Sequence, residues 1–218
     1  MNEHARQMTR IYLYTRFERL WHWFQFLLIT LLLVTGLEVH GAFSLLGFEE
    51  AVEWHNFIGL TWLFSFAFFV FWLLITEEWK QYIPTTRKIL QVIQYYSYGI
   101  FTGAPHPVPK RKEAKHNPLQ RLTYLMIAAV ILPLQMVTGL LYWLYNSWPE
   151  LGLSGLSLRT LAYIHVAGAF AILIFILIHI YMTTTGHSLF AHIKAMFSGW
   201  EDVDDPELIE EWEKKRQC

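Results

Sequence analysis

Four apolar stretches, each long enough to cross a bilayer as a helix, constrain this 218-residue chain more than any other feature. A bilayer core takes roughly 20 consecutive apolar residues in helical form. Residues 20–39, 54–76, 119–145 and 158–183 meet that length. Backbone groups cannot stay unpaired in hydrocarbon, so a spanning segment is a helix or part of a closed barrel. These stretches lack the alternating polarity of barrel strands. The expected fold is therefore an all-α membrane protein, a four-helix transmembrane bundle. Charged residues make up only 16% of the chain, below the roughly one quarter usual in soluble domains, and they gather between the stretches. Aromatic residues reach 17%, with 10 Trp, as two membrane interfaces require.

Basic residues near the span ends set the orientation. The N-terminal tail carries Arg6, Arg10, Arg16 and Arg19. The second loop region carries Lys80, Arg87, Lys88, Lys110, Arg111, Lys112, Lys115 and Arg121, and the C-terminal part carries Lys194, Lys214, Lys215 and Arg216. Of the 17 Lys and Arg, only Arg159 falls on the other side. Both termini are thus expected in the cytoplasm. The opposite side is acidic, with Glu49, Glu50, Glu53 and Glu150. The first apolar run exceeds a signal-peptide core and shows no small-residue cleavage site, so it reads as a retained helix. Residues 83–101 and 188–200 have the spacing of interfacial amphipathic helices, the latter continuing from the fourth span. Residues 105–109 are a Pro-rich loop. The expected division is a membrane domain over 1–200 and an acidic cytoplasmic tail over 201–218, solvated or used for docking. No internal repeat stands out. The single cysteine, Cys218, precludes a disulfide within the chain, a C-x-x-C-H haem attachment and a cysteine-held iron–sulfur cluster.

Six of the 10 histidines are set aside. His4, His106, His116, His187 and His192 lie in tails or loops, and His40 closes the first span. The other four, His22, His55, His165 and His179, lie inside the spans. An ionisable group there is costly and marks function, although a lone one often serves only a helix–helix hydrogen bond. His165 and His179 are fourteen residues apart, within 40° of four full turns, and so share a face about 21 Å apart along the axis. The first span runs outward and begins at His22; the second runs inward and begins at His55. His22 is therefore level with His179 near the inner side, and His55 with His165 near the outer. Each pair suits one haem with two axial imidazoles, a centre with no open position for substrate. Four-coordinate zinc is excluded by the distance between the pairs. Each span also has a glycine: Gly36, Gly59, Gly139 and Gly168. Gly36 shares the face of His22 fourteen residues on, and Gly168 follows His165 by three. Both are candidates for close packing against a macrocycle.

Arg19-Leu-Trp-His22-Trp, Trp54-His55-Asn-Phe-Ile-Gly59, Ile164-His165 and His179-Ile-Tyr181 together resemble the membrane cytochrome b subunits of formate dehydrogenase (the gamma subunit), nickel–iron hydrogenase and thiosulfate reductase. The resemblance covers roughly residues 10–200. It implies two haem b groups, His22/His179 on the inner side and His55/His165 on the outer, the pairing reached from depth. It also implies a menaquinone or ubiquinone site to which Asn117 and Gln120, in Asn117-Pro-Leu-Gln120, contribute. The second loop, about 43 residues by this reading, exceeds the compact family pattern and the usual connection length.

The expectation is an electron conduit in the bacterial inner membrane, joining an outer redox subunit to the quinone pool. The outer subunit is of iron–sulfur and molybdenum, hydrogenase or multihaem type; no nucleic-acid partner is expected. The chain would belong to an oxidoreductase complex without converting the final substrate itself. Arg19, Arg121 and Arg159 are candidates to pair with haem propionates. Two rivals remain: a transporter in which the buried histidines relay protons or ions, and a haem-free membrane anchor.

Overall fold

A computed structural model describes residues 8–104, 106–108, 115–186 and 188–204. His4, Arg6, the stretch with Lys110 to Lys112, His187 and the acidic tail from residue 205 to Cys218 lie outside the described residues. The element order is β1 (Met8–Tyr12), α1 (Arg16–Val39), α2 (Phe48–Thr76), α3 (Ile89–Ser97), α4 (Pro118–Met126), a π-helical turn (Ile127–Ile131), α5 (Leu132–Trp143), α6 (Leu158–Thr183), α7 (Ala191–Ser198) and β2 (Trp200–Asp204). Four helical stretches are long and apolar enough to span a membrane: α1, α2, the run Pro118–Trp143 and α6.

The fourth span has the expected bounds. The second begins earlier than expected, at Phe48, because the carboxylate of Glu38 gathers the chain ahead of it. Glu38 Oε1 accepts the backbone N–H groups of Leu45, Leu46 and Gly47 at 2.6, 2.6 and 2.8 Å. Gly47 stands at φ +92°, a conformation open to glycine. The third span is not one regular helix. Pro133, near the start of α5, has no N–H and its ring crowds the carbonyl four residues back. The turn just before α5 is widened to π geometry, a common response to such a mismatch.

The chain's contacts divide it into two units. One comprises residues 20–77 and 126–179, with most of the apolar spans. Its core is small: Leu28 from α1, Ile58 and Trp62 from α2, Met136 from α5 and Ile172 from α6. Outward-facing residues are large and apolar, as with Phe64 at 74% exposure. A surface of that kind is stable against lipid and not against water. One polar network crosses this interior: Trp62 Nε1 donates to Gln25 Oε1 at 2.8 Å, and Gln25 Nε2 donates to Ser65 Oγ at 2.8 Å.

The other unit comprises the described parts of 1–19, 78–125 and 180–218. Here β1 pairs antiparallel with β2, from Met8 opposite Asp204 to Tyr12 opposite Trp200. The stretch expected to begin a solvated acidic tail therefore begins as a strand. Gly199, at φ +86°, ends α7, and a Cβ there would collide with Tyr12 and the Tyr14 carbonyl. The amphipathic segments are shorter than expected. Residues 83–101 are α-helical only over Ile89–Ser97, and α7 is separated from α6 by a break. Two capping boxes start helices in this unit. In the first, Thr15 N–H donates to Glu18 Oε2 (2.8 Å) and Glu18 N–H to Thr15 Oγ1 (3.3 Å). In the second, Asn117 N–H donates to Gln120 Oε1 (3.0 Å) and Gln120 N–H to Asn117 Oδ1 (2.9 Å).

Candidate functional site

All four intramembrane histidines belong to the same unit. α1 supplies His22, α2 supplies His55, and α6 supplies His165 and His179. The fourteen-residue spacing on α6 holds its two rings on one face, about 21 Å apart by helical rise. The ring of His22 lies 6.1 Å from that of His179, centroid to centroid, at an interplanar angle of 48°. The ring of His55 lies 6.3 Å from that of His165, at 81°. These are the pairs that helix direction predicts. Between the two levels sits the apolar core: Ile172 is midway along α6, seven residues from each histidine, and is buried.

A ring nitrogen sits about 2 Å from a transition-metal ion it ligates, so two imidazoles sharing one ion have centroids roughly 6 Å apart. Both pairs have that separation. Among the described residues no group of three or more His, Cys, Asp or Glu is placed to hold a metal ion. Two opposed imidazoles per centre, with the remaining positions left to another ligand, fit a haem iron. The Nδ1 atom of His22 is buried without a hydrogen-bond partner among the described residues, with Trp23 5.1 Å away edge-on. His179 stacks on Phe175 at 5.8 Å.

The other pair is differently supported. Thr35 Oγ1 lies 2.9 Å from His55 Nδ1, and Thr138 Oγ1 lies 2.9 Å from His165 Nδ1. Gln135 Nε2 approaches His165 Nε2 at 3.1 Å. Thr35, Thr138 and Gln135 are all buried. A Cβ on Gly36 would stand 3.1 Å from His55 Cε1, and one on Gly139 would stand 3.1 Å from His165 Cε1. A Cβ on Gly168 would overlap the Gln135 side-chain oxygen. Gly36 is thus seated against the His55 ring. Gly168 faces a glutamine, and Gly139 takes the place opposite Gly36.

Asn117 is buried, and its amide nitrogen donates to Tyr96 Oη at 3.1 Å, so the pair expected to bind quinone is also the capping box of α4. Arg121 Nε donates to the His116 carbonyl at 2.9 Å, and Arg19 donates to the Phe197 carbonyl. Arg159 lies over the Tyr163 ring at 5.6 Å. Lys115, buried, pairs with Glu18 at 2.5 Å. Three histidines set aside as loop residues are packed. His106 meets Tyr95 and Tyr96, His116 meets Tyr82 and Tyr124, and His192 contacts Glu201 at 2.8 Å. Their partners lie eight or more residues away in sequence, so no local pattern marked them.

The family described as "Prokaryotic cytochrome b561" matches residues 13–199. That span contains both histidine pairs. The protein named "Putative cytochrome YdhU" from Escherichia coli is 32% identical over 200 residues, which is 88% of this chain and 74% of that protein. No solved structure is a significant match.

Proposed function

Because the chain belongs to the prokaryotic cytochrome b561 family, haem-binding electron-transfer proteins of the bacterial inner membrane, we propose that it is a di-haem, quinone-linked subunit of a redox complex. His22 and His179 would hold one haem b near the inner face, and His55 and His165 one near the outer face. The observation that carries this reading is the pair of ring separations, 6.1 and 6.3 Å, at two levels of one helix. Held between two imidazoles, each haem would supply a one-electron carrier rather than bond chemistry.

The chain's own residues supply position and environment. α6 fixes the spacing of the two centres, and the apolar core between them excludes water. The acidic outer loops are the proposed contact for a redox partner subunit, of iron–sulfur and molybdenum, hydrogenase or multihaem type. Glu38 would hold the first of those loops in place. Asn117 and Gln120, at the start of α4, are the proposed contacts for a menaquinone or ubiquinone headgroup. Conversion of the final substrate would fall to the partner.

The test is the visible spectrum of the purified protein with a haem-to-chain ratio. Two b-type haems per chain are expected. The His179→Ala variant should lose one, and His55→Ala the other. A colourless protein would overturn the reading in favour of a histidine-based transporter or a haem-free anchor. Loss of the same haem in both variants would overturn the pairing.

A further inference from the structure

The tetrapeptide Val34-Thr35-Gly36-Leu37 of α1 recurs as Val137-Thr138-Gly139-Leu140 of α5. The two copies sit on opposite members of one histidine pair with matching geometry. Each threonine lies 2.9 Å from Nδ1 of its ring. Each glycine leaves open a Cβ position 3.1 Å from Cε1 of that same ring. The repeat therefore forms a two-sided clamp on His55 and His165.

The direction of these hydrogen bonds follows from counting hydrogens. A hydroxyl has one to donate. Thr35 gives its hydrogen to the Leu31 carbonyl at 2.8 Å, and Thr138 gives its own to the Leu134 carbonyl at 2.7 Å. Toward the rings both oxygens then accept, and Nδ1–H donates. The proton is thereby held on Nδ1, and the Nε2 lone pair is left to bind a metal. In line with this tautomer, the His165 Nε2 lone pair faces the Gln135 amide N–H group at 3.1 Å, a contact that a metal bound there would displace. Among the described residues no such hydrogen bond supports the pair formed by His22 and His179. His22 Nδ1 is buried and unpartnered among the described residues.

We propose that Thr35 and Thr138 are positioning residues that fix the ligand rings of His55 and His165 and hold the haem there at a lower potential than the haem at His22 and His179. This rests on the reading that each pair holds one haem. An imidazole that shares its Nδ1 proton with an acceptor is a stronger donor through Nε2. Stronger donation stabilises the more positive, oxidised iron and lowers the potential, one of the levers a protein has on a haem. A ring with no acceptor lacks this contribution.

The test is a redox titration of the purified full-length protein, followed by haem absorbance. It compares wild type with Thr35→Val, Thr138→Val, Thr35→Ser and Thr138→Ser. Wild type is expected to show two midpoint potentials. Each valine variant should move the lower one upward and leave the higher one in place, and each serine variant should keep both. If a valine variant loses a haem, the low-potential signal is the one expected to vanish. Unchanged potentials in the valine variants, a shift or loss of the high-potential signal, or serine variants that behave like valine would each overturn the threonine role. Absence of two haem signals in wild type would instead overturn the pairing on which it rests.

Discussion

Gly36 and Gly139 show how little room separates the helices from the rings of His55 and His165. A methyl group 3.1 Å from Cε1 is tighter than ordinary carbon contact, so the ring must move by a few tenths of an ångström. It cannot do so freely, because Thr35 or Thr138 holds the adjacent nitrogen at 2.9 Å. On the proposed pairing, Gly36→Ala and Gly139→Ala should each lower occupancy of the haem at His55 and His165 several-fold and leave the other haem at full occupancy. The overpacking should cost about 1–3 kcal/mol of stability. Haem-to-protein ratio with low-temperature spectra of the two centres would measure it, and equal loss at both centres would count against the clamp. The four histidines were legible in the sequence because an ionisable group inside an apolar run stands out. The threonines were not. A helical threonine ordinarily spends its hydroxyl on its own helix, and only coordinates show that these two also face a ring. Gln135 was missed for a related reason, since a lone amide in a span has many uses.

At the scale of elements, hydrophobic length placed all four spans and set the fourth with its observed bounds. The misjudged features depend on local contacts. The early start of α2 follows from one carboxylate, Glu38, reaching three backbone N–H groups. The π turn follows from Pro133. Asn117-Pro-Leu-Gln120 illustrates one motif with two readings: the spacing that suggests a quinone contact also makes a reciprocal helix cap. The elements of the second unit carry a prediction of their own. Burial pushes the phenols of Tyr14, Tyr82 and Tyr96 above their ordinary value near 10. Neighbouring carboxylates raise Tyr14 and Tyr82 further, Glu201 and Glu18 in one case and Glu18 and Glu78 in the other. Below pH 10 both folded and unfolded chains keep these protons, and stability does not depend on them. Above it the unfolded chain ionises first. Stability should then fall by up to about 1.4 kcal/mol per pH unit per phenol until the folded values are reached. Denaturant unfolding in detergent as a function of pH should show the decline, and Tyr82→Phe should make it shallower. An unchanged slope in that variant would place the alkaline loss in other groups.

For the whole molecule, the depth argument joins two independent readings of the sequence. The count of basic residues assigns sides to the loops, and the helical repeat assigns faces and heights to the histidines. Alternating span direction and the helical repeat are enough to pair His22 with His179 and His55 with His165, whose rings stand 6.1 and 6.3 Å apart. The pairing itself fixes only relative direction: α1 runs opposite to α6, and α2 runs parallel to it. Which face is cytoplasmic rests on charge alone, through 16 of the 17 basic residues lying on one side, all but Arg159. That inference has a clean test because the chain has a single cysteine, Cys218. A membrane-impermeant thiol reagent should leave Cys218 unlabelled in intact cells and label it in inverted inner-membrane vesicles. A cysteine placed at Ala42, in the loop between α1 and α2, in a Cys218→Ser background should show the reverse. Labelling of Cys218 from outside would invert the molecule. It would put His55 and His165 at the cytoplasmic face and move the partner contact proposed for the acidic loops to the other side of the membrane.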